Sequence, residues 1–400
     1  MVYIVRLRNF LILVLLFGSV FGLALIQGIN LPPDSAVLTN TTQRELRIPY
    51  LTQYGGGLSV TADSALLMDA RTGTVLWAKN EHKQRPPAST TKILTAVVAL
   101  EYGNLSETIT IDRSATGVGG SQIWLEPGEK RTLQELIQGL MLKSGNDAAV
   151  AIAQHIGGSV EGFSTLLNKR ARELGAFNTV FSNPNGLPEK TKPHYSTAYD
   201  LALMARRGLQ IPIFQTIVQT KYDQIPWGNH DWERRLTNTN KLLWYFPGAD
   251  GVKTGTTTAA GNCLVASATR EGFQLIAVVL HADNRWGDAA KILEYGFKNF
   301  QPMLIGPEGT ALKKVSVRNG VRDQVELVPA KEIAVVVPVA QWNQIQTRLI
   351  VPEYLIAPFW SGEMVGKVEV LLDGQVLASE ALLTAEPIRR QTWWWLRKGA

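Results

Sequence analysis

The distribution of apolar and polar positions changes texture several times along the chain. Arg6 and Arg8 precede an almost unbroken apolar run from Phe10 to Ile26. A positive flank followed by such a run is the pattern of an export leader or membrane anchor, expected here over residues 1–29. Cleavage is the favoured reading, and in either case the chain beyond it is delivered outside the cytoplasm. Residues 30–57, with Pro, Asn, Thr and Gly55-Gly56-Gly57, read as a linker. Two strand-like runs follow, Ser64–Asp69 and Thr74–Lys79, joined by the turn Ala70-Arg71-Thr72-Gly73. Helical patterns then dominate. Ile93–Leu100 is a short apolar helix. Thr132-Leu133-Gln134-Glu135 has capping-box form ahead of Leu136, Ile137, Leu140, Met141 and Leu142. Ala148–Ile156, Val160–Leu174 and Ser196–Leu209 are three further helices. Two strands, Asn262–Ala268 and Phe273–His281, meet through Thr269-Arg270-Glu271-Gly272, and Trp286–Phe300 closes the region as a helix. Strands, helices, strands and a helix describe an α+β domain, an antiparallel sheet flanked by helices, over residues 58–303.

Beyond Pro307 the runs shorten to Val315–Val317, Val325–Leu327, Ile333–Val337, Thr347–Val351 and Val368–Leu372. This predicts a small C-terminal all-β domain over residues 307–386, with no cluster of chemistry-bearing side chains. Residues 387–400 hold Trp393-Trp394-Trp395 between Arg389-Arg390 and Arg397-Lys398, a composition suited to a membrane interface or to packing on the β domain.

Four hundred residues exceed one ordinary core, and 45% hydrophobic with 18% charged residues describe a globular chain. The formal charge of +6 is scattered, apart from the two ends. No basic stripe with interleaved aromatics appears, which argues against nucleic acid as a partner, while a weak pull toward an anionic membrane or wall polymer fits. Cys263, the single cysteine, has no disulfide partner in the chain and reads as a small core residue. The five histidines lack ligand spacing, so neither a metal nor a cofactor is expected. Gly117, Gly119 and Gly120 are not followed by the Lys-Ser/Thr of a phosphate loop.

Candidate chemistry begins at Ser89-Thr90-Thr91-Lys92. Residues at i and i+3 share a helix face, so a serine nucleophile could have a lysine as its base. The same serine could equally be a helix N-cap. Two further short motifs follow in the same expected domain: Ser144-Gly145-Asn146, a polar turn held between two helices, and Lys253-Thr254-Gly255. Each alone is weak. The ordered triple is the motif set of serine β-lactamases and penicillin-binding proteins.

On these motifs the chain resembles the low-molecular-weight penicillin-binding proteins, the serine D-alanyl-D-alanine carboxypeptidases, from about residue 60 to about residue 385. Ser-Gly-Asn rather than Ser-Asp-Asn in the second motif points to the carboxypeptidases. The resemblance implies a β-lactamase/transpeptidase-like fold and an enzyme that removes the terminal D-Ala from peptidoglycan stem pentapeptides through an acyl-enzyme on Ser89. It implies β-lactam antibiotics as ligands, and a place at the outer face of the membrane or in the wall. Lys92 would be the base, which requires it to be neutral; burial beside Lys253 would lower its pKa. Backbone N–H groups of Ser89 and Thr256 would meet the oxyanion. Ser144 would pass the proton to the leaving amine, and Asn146 would hold Lys92 and the substrate amide. Lys253, Thr254 and Thr256 would bind the substrate carboxylate, and Gly255 would let substrate lie against the strand edge. Family members often carry an arginine near the start of the last helix. Here Arg285 stands off the usual spacing and is expected at the solvated surface. His194 is expected in the cleft or at a helix cap.

Three other readings compete. A D,D-endopeptidase on the same scaffold differs only in pocket shape. A β-lactamase lacks support, because no Glu-x-x-x-Asn stands between the second and third motifs to drive deacylation. A non-catalytic wall-binding protein would not need all five polar motif residues intact.

Overall fold

The computed structural model describes residues 49–391, except 55, 56 and 229. The expected leader, most of the expected linker and the tryptophan-rich end of the tail lie outside the described residues. Among the described residues no helix is long and apolar enough to cross a membrane.

In chain order the first part runs β1 (Ser64–Asp69), β2 (Val75–Lys79), α1 (Lys92–Tyr102), β3 (Thr108–Thr110), β4 (Lys130–Thr132), α2 (Leu133–Leu142), α3 (Asn146–Gly157), α4 (Val160–Glu173), α5 (Ala198–Leu209) and α6 (Pro212–Gln219). It continues with the hairpin β5 (Tyr222–Pro226) and β6 (Glu233–Thr237), the single turn α7 (Leu242–Tyr245), β7 (Ala249–Thr257), β8 (Gly261–Arg270), β9 (Phe273–Ala282) and α8 (Arg285–Asn299). Five strands form one antiparallel sheet in the order β2-β1-β9-β8-β7. Both faces are buried. Leu66, Met68, Ile276 and Val278 join the core built by α1–α6, while Leu67, Leu275, Ala277 and Val279 join a second core with Ala289, Ile292 and Leu293 of α8. Side chains alternate across a strand, so burial on two faces demands the near-continuous apolar runs seen in β1 and β9.

Helix α1 is enclosed on every side: Lys92 through Ala99 are all buried. A helix apolar all round belongs inside a domain, and Lys92 is the one charge on its buried stretch. Helix α2 begins as its sequence dictates. Thr132 Oγ1 accepts from Glu135 N–H while the Glu135 carboxylate accepts from Thr132 N–H, a reciprocal cap.

The C-terminal part is all β: β10 (Phe300–Gly306), β11 (Lys313–Arg318), β12 (Gln324–Pro329), β13 (Ile333–Pro338), β14 (Gln346–Ile350), β15 (Tyr354–Ile356), β16 (Met364–Leu372) and β17 (Gln375–Thr384). Six of these strands form a sheet in the order β14-β16-β17-β12-β11-β15, and β10 pairs with β13.

The structure departs from the sequence pattern at several points. Ser89 does not lie on the helix but in a 3-10 turn, Ala88–Thr91, just before it. Residues 249–257, which show no apolar alternation, form the nine-residue strand β7 at the edge of the sheet. An edge strand bonds on one side only, so tertiary placement rather than periodicity makes it a strand. The β5–β6 hairpin and β17 are likewise strands that apolar alternation does not announce.

Asp147 ties the second motif to the loop before it. Fully buried, its carboxylate accepts from the N–H groups of Ile123, Leu125 and Ala148. Replacing it with alanine strands three buried donors. Asp147→Ala is therefore expected to destabilise the fold by about 3 kcal/mol, read as a lowered midpoint in urea unfolding; an unchanged midpoint would contradict this account.

Candidate active site

The turn Ala88–Thr91 presents Ser89 at the N-terminal end of α1. Ala88 has φ +48, in the left-handed region that alanine rarely occupies. Lys92 stands on the first turn of α1 with its side chain fully buried. Its Nζ lies 2.9 Å from Ser89 Oγ, 2.6 Å from Asn146 Oδ1 and 3.0 Å from Asn185 O. Asn146 Oδ1 and Asn185 O can only accept. A neutral amine has two N–H groups for them and one lone pair, which is left facing the Ser89 hydroxyl. Burial, and then the positive charge of Lys253, holds the Lys92 amine well below the usual lysine range.

Asn146 opens α3. Its Nδ2 donates to Gly119 O at 2.5 Å and its backbone N–H to Ser121 O at 2.8 Å, so the 119–125 loop is anchored to the second motif. One Nδ2 hydrogen remains for another acceptor. Ser144, two residues earlier, has φ +65 and is nearly buried.

Strand β7 brings the third motif. Lys253 is buried, and its Nζ has no hydrogen-bond partner among the described residues. Burial and the nearby Arg285 guanidinium lower its pKa to about 7. A buried cation without a partner is costly unless an anion joins it, so this amine is suited to a ligand carboxylate. Thr254 Oγ1 lies 2.7 Å from Thr239 Oγ1. Gly255 is where β7 meets the Ser89 turn: a Cβ there would stand 3.0 Å from Pro87 O and 3.0 Å from Ser89 N. A side chain would wedge the strand from the turn.

The structure thus brings Ser89, Lys92 and Asn146 into direct contact and sets β7, with Lys253, Thr254, Gly255 and Thr256, against the Ser89 turn. Arg285 differs from expectation. It is half-buried at the start of α8, and its Nη1 donates to Gly255 O at 3.0 Å and to Thr256 Oγ1 at 2.7 Å. Spacing along α8 misplaces it because the side chain reaches back across β8 to β7, with Cys263 O also within 3.5 Å. Residues without any sequence signal also take part. Asn185 contributes only its backbone carbonyl, and Thr239 is placed by the loop after β6. His194 lies behind the turn, with Nε2 2.9 Å from Thr91 Oγ1.

The family profile described as D-alanyl-D-alanine carboxypeptidase (Peptidase_S11) matches residues 52–284, and the penicillin-binding protein 5 C-terminal domain matches residues 300–390. The chain is similar to the D-alanyl-D-alanine carboxypeptidase DacF of Bacillus subtilis, 36% identical over 342 residues, which cover 83% of this chain and 87% of that protein. It is 33% identical over 351 residues to DacC of Escherichia coli, covering 82% and 85%. Among solved structures, penicillin binding protein 5 from Haemophilus influenzae superposes with a TM-score of 0.74 at 31% identity, covering 84% of this chain and 99% of that one.

The two amines lead to a pH dependence with opposite limbs. Protonated Lys92 cannot take the Ser89 proton, so the second-order rate constant for acylation by a β-lactam should rise as pH climbs through its depressed pKa. Lys253 loses its charge as pH passes about 7, and the rate for a ligand carrying a carboxylate should then fall. Arg285→Ala should move the falling limb to higher pH, because the neighbouring cation that favours the neutral amine is gone. A rate constant flat from about pH 5 to about pH 9 would contradict both assignments.

Proposed function

The chain belongs to the D-alanyl-D-alanine carboxypeptidase family and is a penicillin-binding serine D-Ala-D-Ala carboxypeptidase; from that premise we propose how its own residues divide the work. Lys92 takes the proton of Ser89 Oγ as the hydroxyl attacks the carbonyl of the penultimate D-Ala. The oxyanion meets the backbone N–H groups of Ser89 and Thr256, donors that need no reorganisation as charge develops. Ser144 carries the proton to the nitrogen of the departing D-Ala, and water then hydrolyses the acyl-enzyme. Lys253, Thr254 and Thr256 hold the terminal carboxylate. Gly255 lets the peptide lie along the open edge of β7. Arg285 acts from behind the strand, orienting Thr256 and adding to the positive field. The observation that carries this reading is the fully buried Nζ of Lys92, 2.9 Å from Ser89 Oγ and held by two fixed acceptors, Asn146 Oδ1 and Asn185 O.

In this reading residues 58–303 do the chemistry, and the β domain of residues 307–386 supplies no catalytic group. The substrate is the D-Ala-D-Ala end of a peptidoglycan stem peptide. The enzyme works at the outer face of the membrane or in the wall. The apolar run after Arg6 and Arg8 and the tryptophan-rich tail support that placement.

One observation favours the endopeptidase alternative as a second activity. A groove of about 540 Å³ opens beside Lys143, the residue preceding Ser144, and is lined by Gln122, Trp124, Trp227, Trp232 and Arg234. None of Ser89, Lys92, Ser144, Asn146 and Lys253 lines it, so on this reading it is an adjoining subsite for the distal part of a crosslinked peptide.

Fluorescent penicillin should label the wild type and not Ser89→Ala, and the wild type should release D-Ala from an acylated peptide ending in D-Ala-D-Ala. Ser89→Ala and Lys92→Ala should each lower that release by about 10³-fold or more. An unlabelled wild type, or a labelled Ser89→Ala, would overturn the assignment of the nucleophile. Release of crosslinked dimer halves at a comparable rate would establish the second activity.

A further inference from the structure

His194 is partly buried, lies on the ring of Phe181 with centroids 5.1 Å apart, and takes its hydrogen-bond partners from Thr91 and Ser182 rather than from Ser89, Lys92, Ser144 or Asn146. Its surroundings fix its tautomer. Ser182 N–H can only donate, and it does so to Nδ1 at 3.2 Å. The proton of the neutral ring therefore sits on Nε2 and points at Thr91 Oγ1, 2.9 Å away. Burial lowers the imidazole pKa to about 4, so the ring is neutral at ordinary pH. Thr91 passes the contact on, its hydroxyl donating to Ala88 O at 2.9 Å.

Ala88 O and Ser89 N–H belong to one rigid peptide plane. Turning that plane turns the N–H assigned to the oxyanion. The backbone here does not hold itself, because Ala88 has φ +48 and alanine is disfavoured there. Gly186 packs beneath the same carbonyl so closely that a Cβ would come within 1.9 Å of Ala88 O. The other side of the plane faces β7, where Ser89 N would lie 3.0 Å from a Cβ on Gly255. Thr91, Gly186 and β7 thus enclose the plane.

We propose that His194 and Thr91 are positioning residues that hold the Ala88–Ser89 peptide so that Ser89 N–H points at the developing oxyanion. The proposal rests on the reading of Ser89 as nucleophile. Neither residue touches substrate; each acts through the next, ending at the N–H. Such a relay should matter in the transition state, where the oxygen carries charge, and little in the ground state.

Two pairs of variants test it. Thr91→Val keeps the shape and removes the bridging hydroxyl, whereas Thr91→Ser keeps the hydroxyl. His194→Phe keeps the stack on Phe181 and removes the donor, whereas His194→Gln keeps a donor. Losing an oxyanion donor outright costs about 10²–10³ in kcat, so misaiming one should cost about tenfold or more. Thr91→Val and His194→Phe should lose that factor in kcat for D-Ala release with KM within about twofold, and should bind a tetrahedral boronic acid inhibitor about tenfold more weakly. Thr91→Ser and His194→Gln should stay near wild type in both. A purely structural role would lower the melting temperature without splitting kcat from KM, and that result overturns the proposal. So does wild-type kcat in a folded Thr91→Val, or equal losses in Thr91→Val and Thr91→Ser. If Thr91→Val does not fold, the His194 pair decides by the same criteria. Absence of D-Ala release by the wild type would instead count against the carboxypeptidase assignment of Ser89.

Discussion

Two lysine amines buried with no salt-bridge carboxylate among the described residues are the constraint around which the catalytic region is organised. Lys92 and Lys253 are both almost fully enclosed and bear the desolvation of a charge; the neighbouring cations Lys253 and Arg285 add to that penalty, and for Lys92 the buried Asp147 carboxylate offsets only part of it. The protein resolves this unevenly. Burial and the charge of Lys253 push the pKa of Lys92 well down, and its Nζ donates to Asn146 Oδ1 and Asn185 O. Lys253 keeps a pKa of about 7 and an unfilled hydrogen-bonding shell. In the proposed mechanism one amine takes a proton and the other takes an anion. Neither state would survive exposure to water, where both amines would simply be charged.

Much of the fold can be understood as the means of burying these groups. Helix α1 is surrounded by α2–α5 and the sheet, so the Lys92 stem has no route to solvent. Strand β7 sits at the sheet edge and presses Gly255 against the Ser89 turn, which closes the space over Lys253. Asp147, immediately after Asn146, draws the 119–125 loop onto the same helix start and so caps the cleft from the other side. A charged side chain is used as structural cement next to a site where charge is otherwise kept out. The Ala88–Ser89 peptide, clamped by Thr91, Gly186 and β7, is the corresponding rigid element of the backbone. Holding donors still before the reaction is what makes them useful during it.

Local pattern was enough for part of this. The reciprocal cap at Thr132 and Glu135 is a short-range device and is present where the sequence places it. The apolar runs of β1, β8 and β9 announce a sheet buried on both faces, because only that environment tolerates them. The mixed strands β7 and β17 and the β5–β6 hairpin stay hidden: their residues carry no period, and their strand geometry comes from a neighbour across the ladder. Arg285 was misplaced for a related reason. Its position on α8 suggests solvent, yet a long side chain is placed by where its guanidinium finds acceptors, here Gly255 O and Thr256 Oγ1 on another element.

What the sequence determined by itself is the inventory and its order: Ser89 and Lys92 one helical turn apart, Ser144-Gly145-Asn146 between two helices, and Lys253-Thr254-Gly255 ahead of a strand pair. Those spacings bind residue types to local geometry, and local geometry is short-range physics. Only the tertiary structure decided the lowered pKa of the two lysines, the part played by the Asn185 carbonyl, the inward reach of Arg285 and the path from His194 to Ala88. Each of these depends on the dielectric and the acceptors supplied by segments far away in the chain. No window of neighbouring residues contains that information, because burial is a property of the assembled fold.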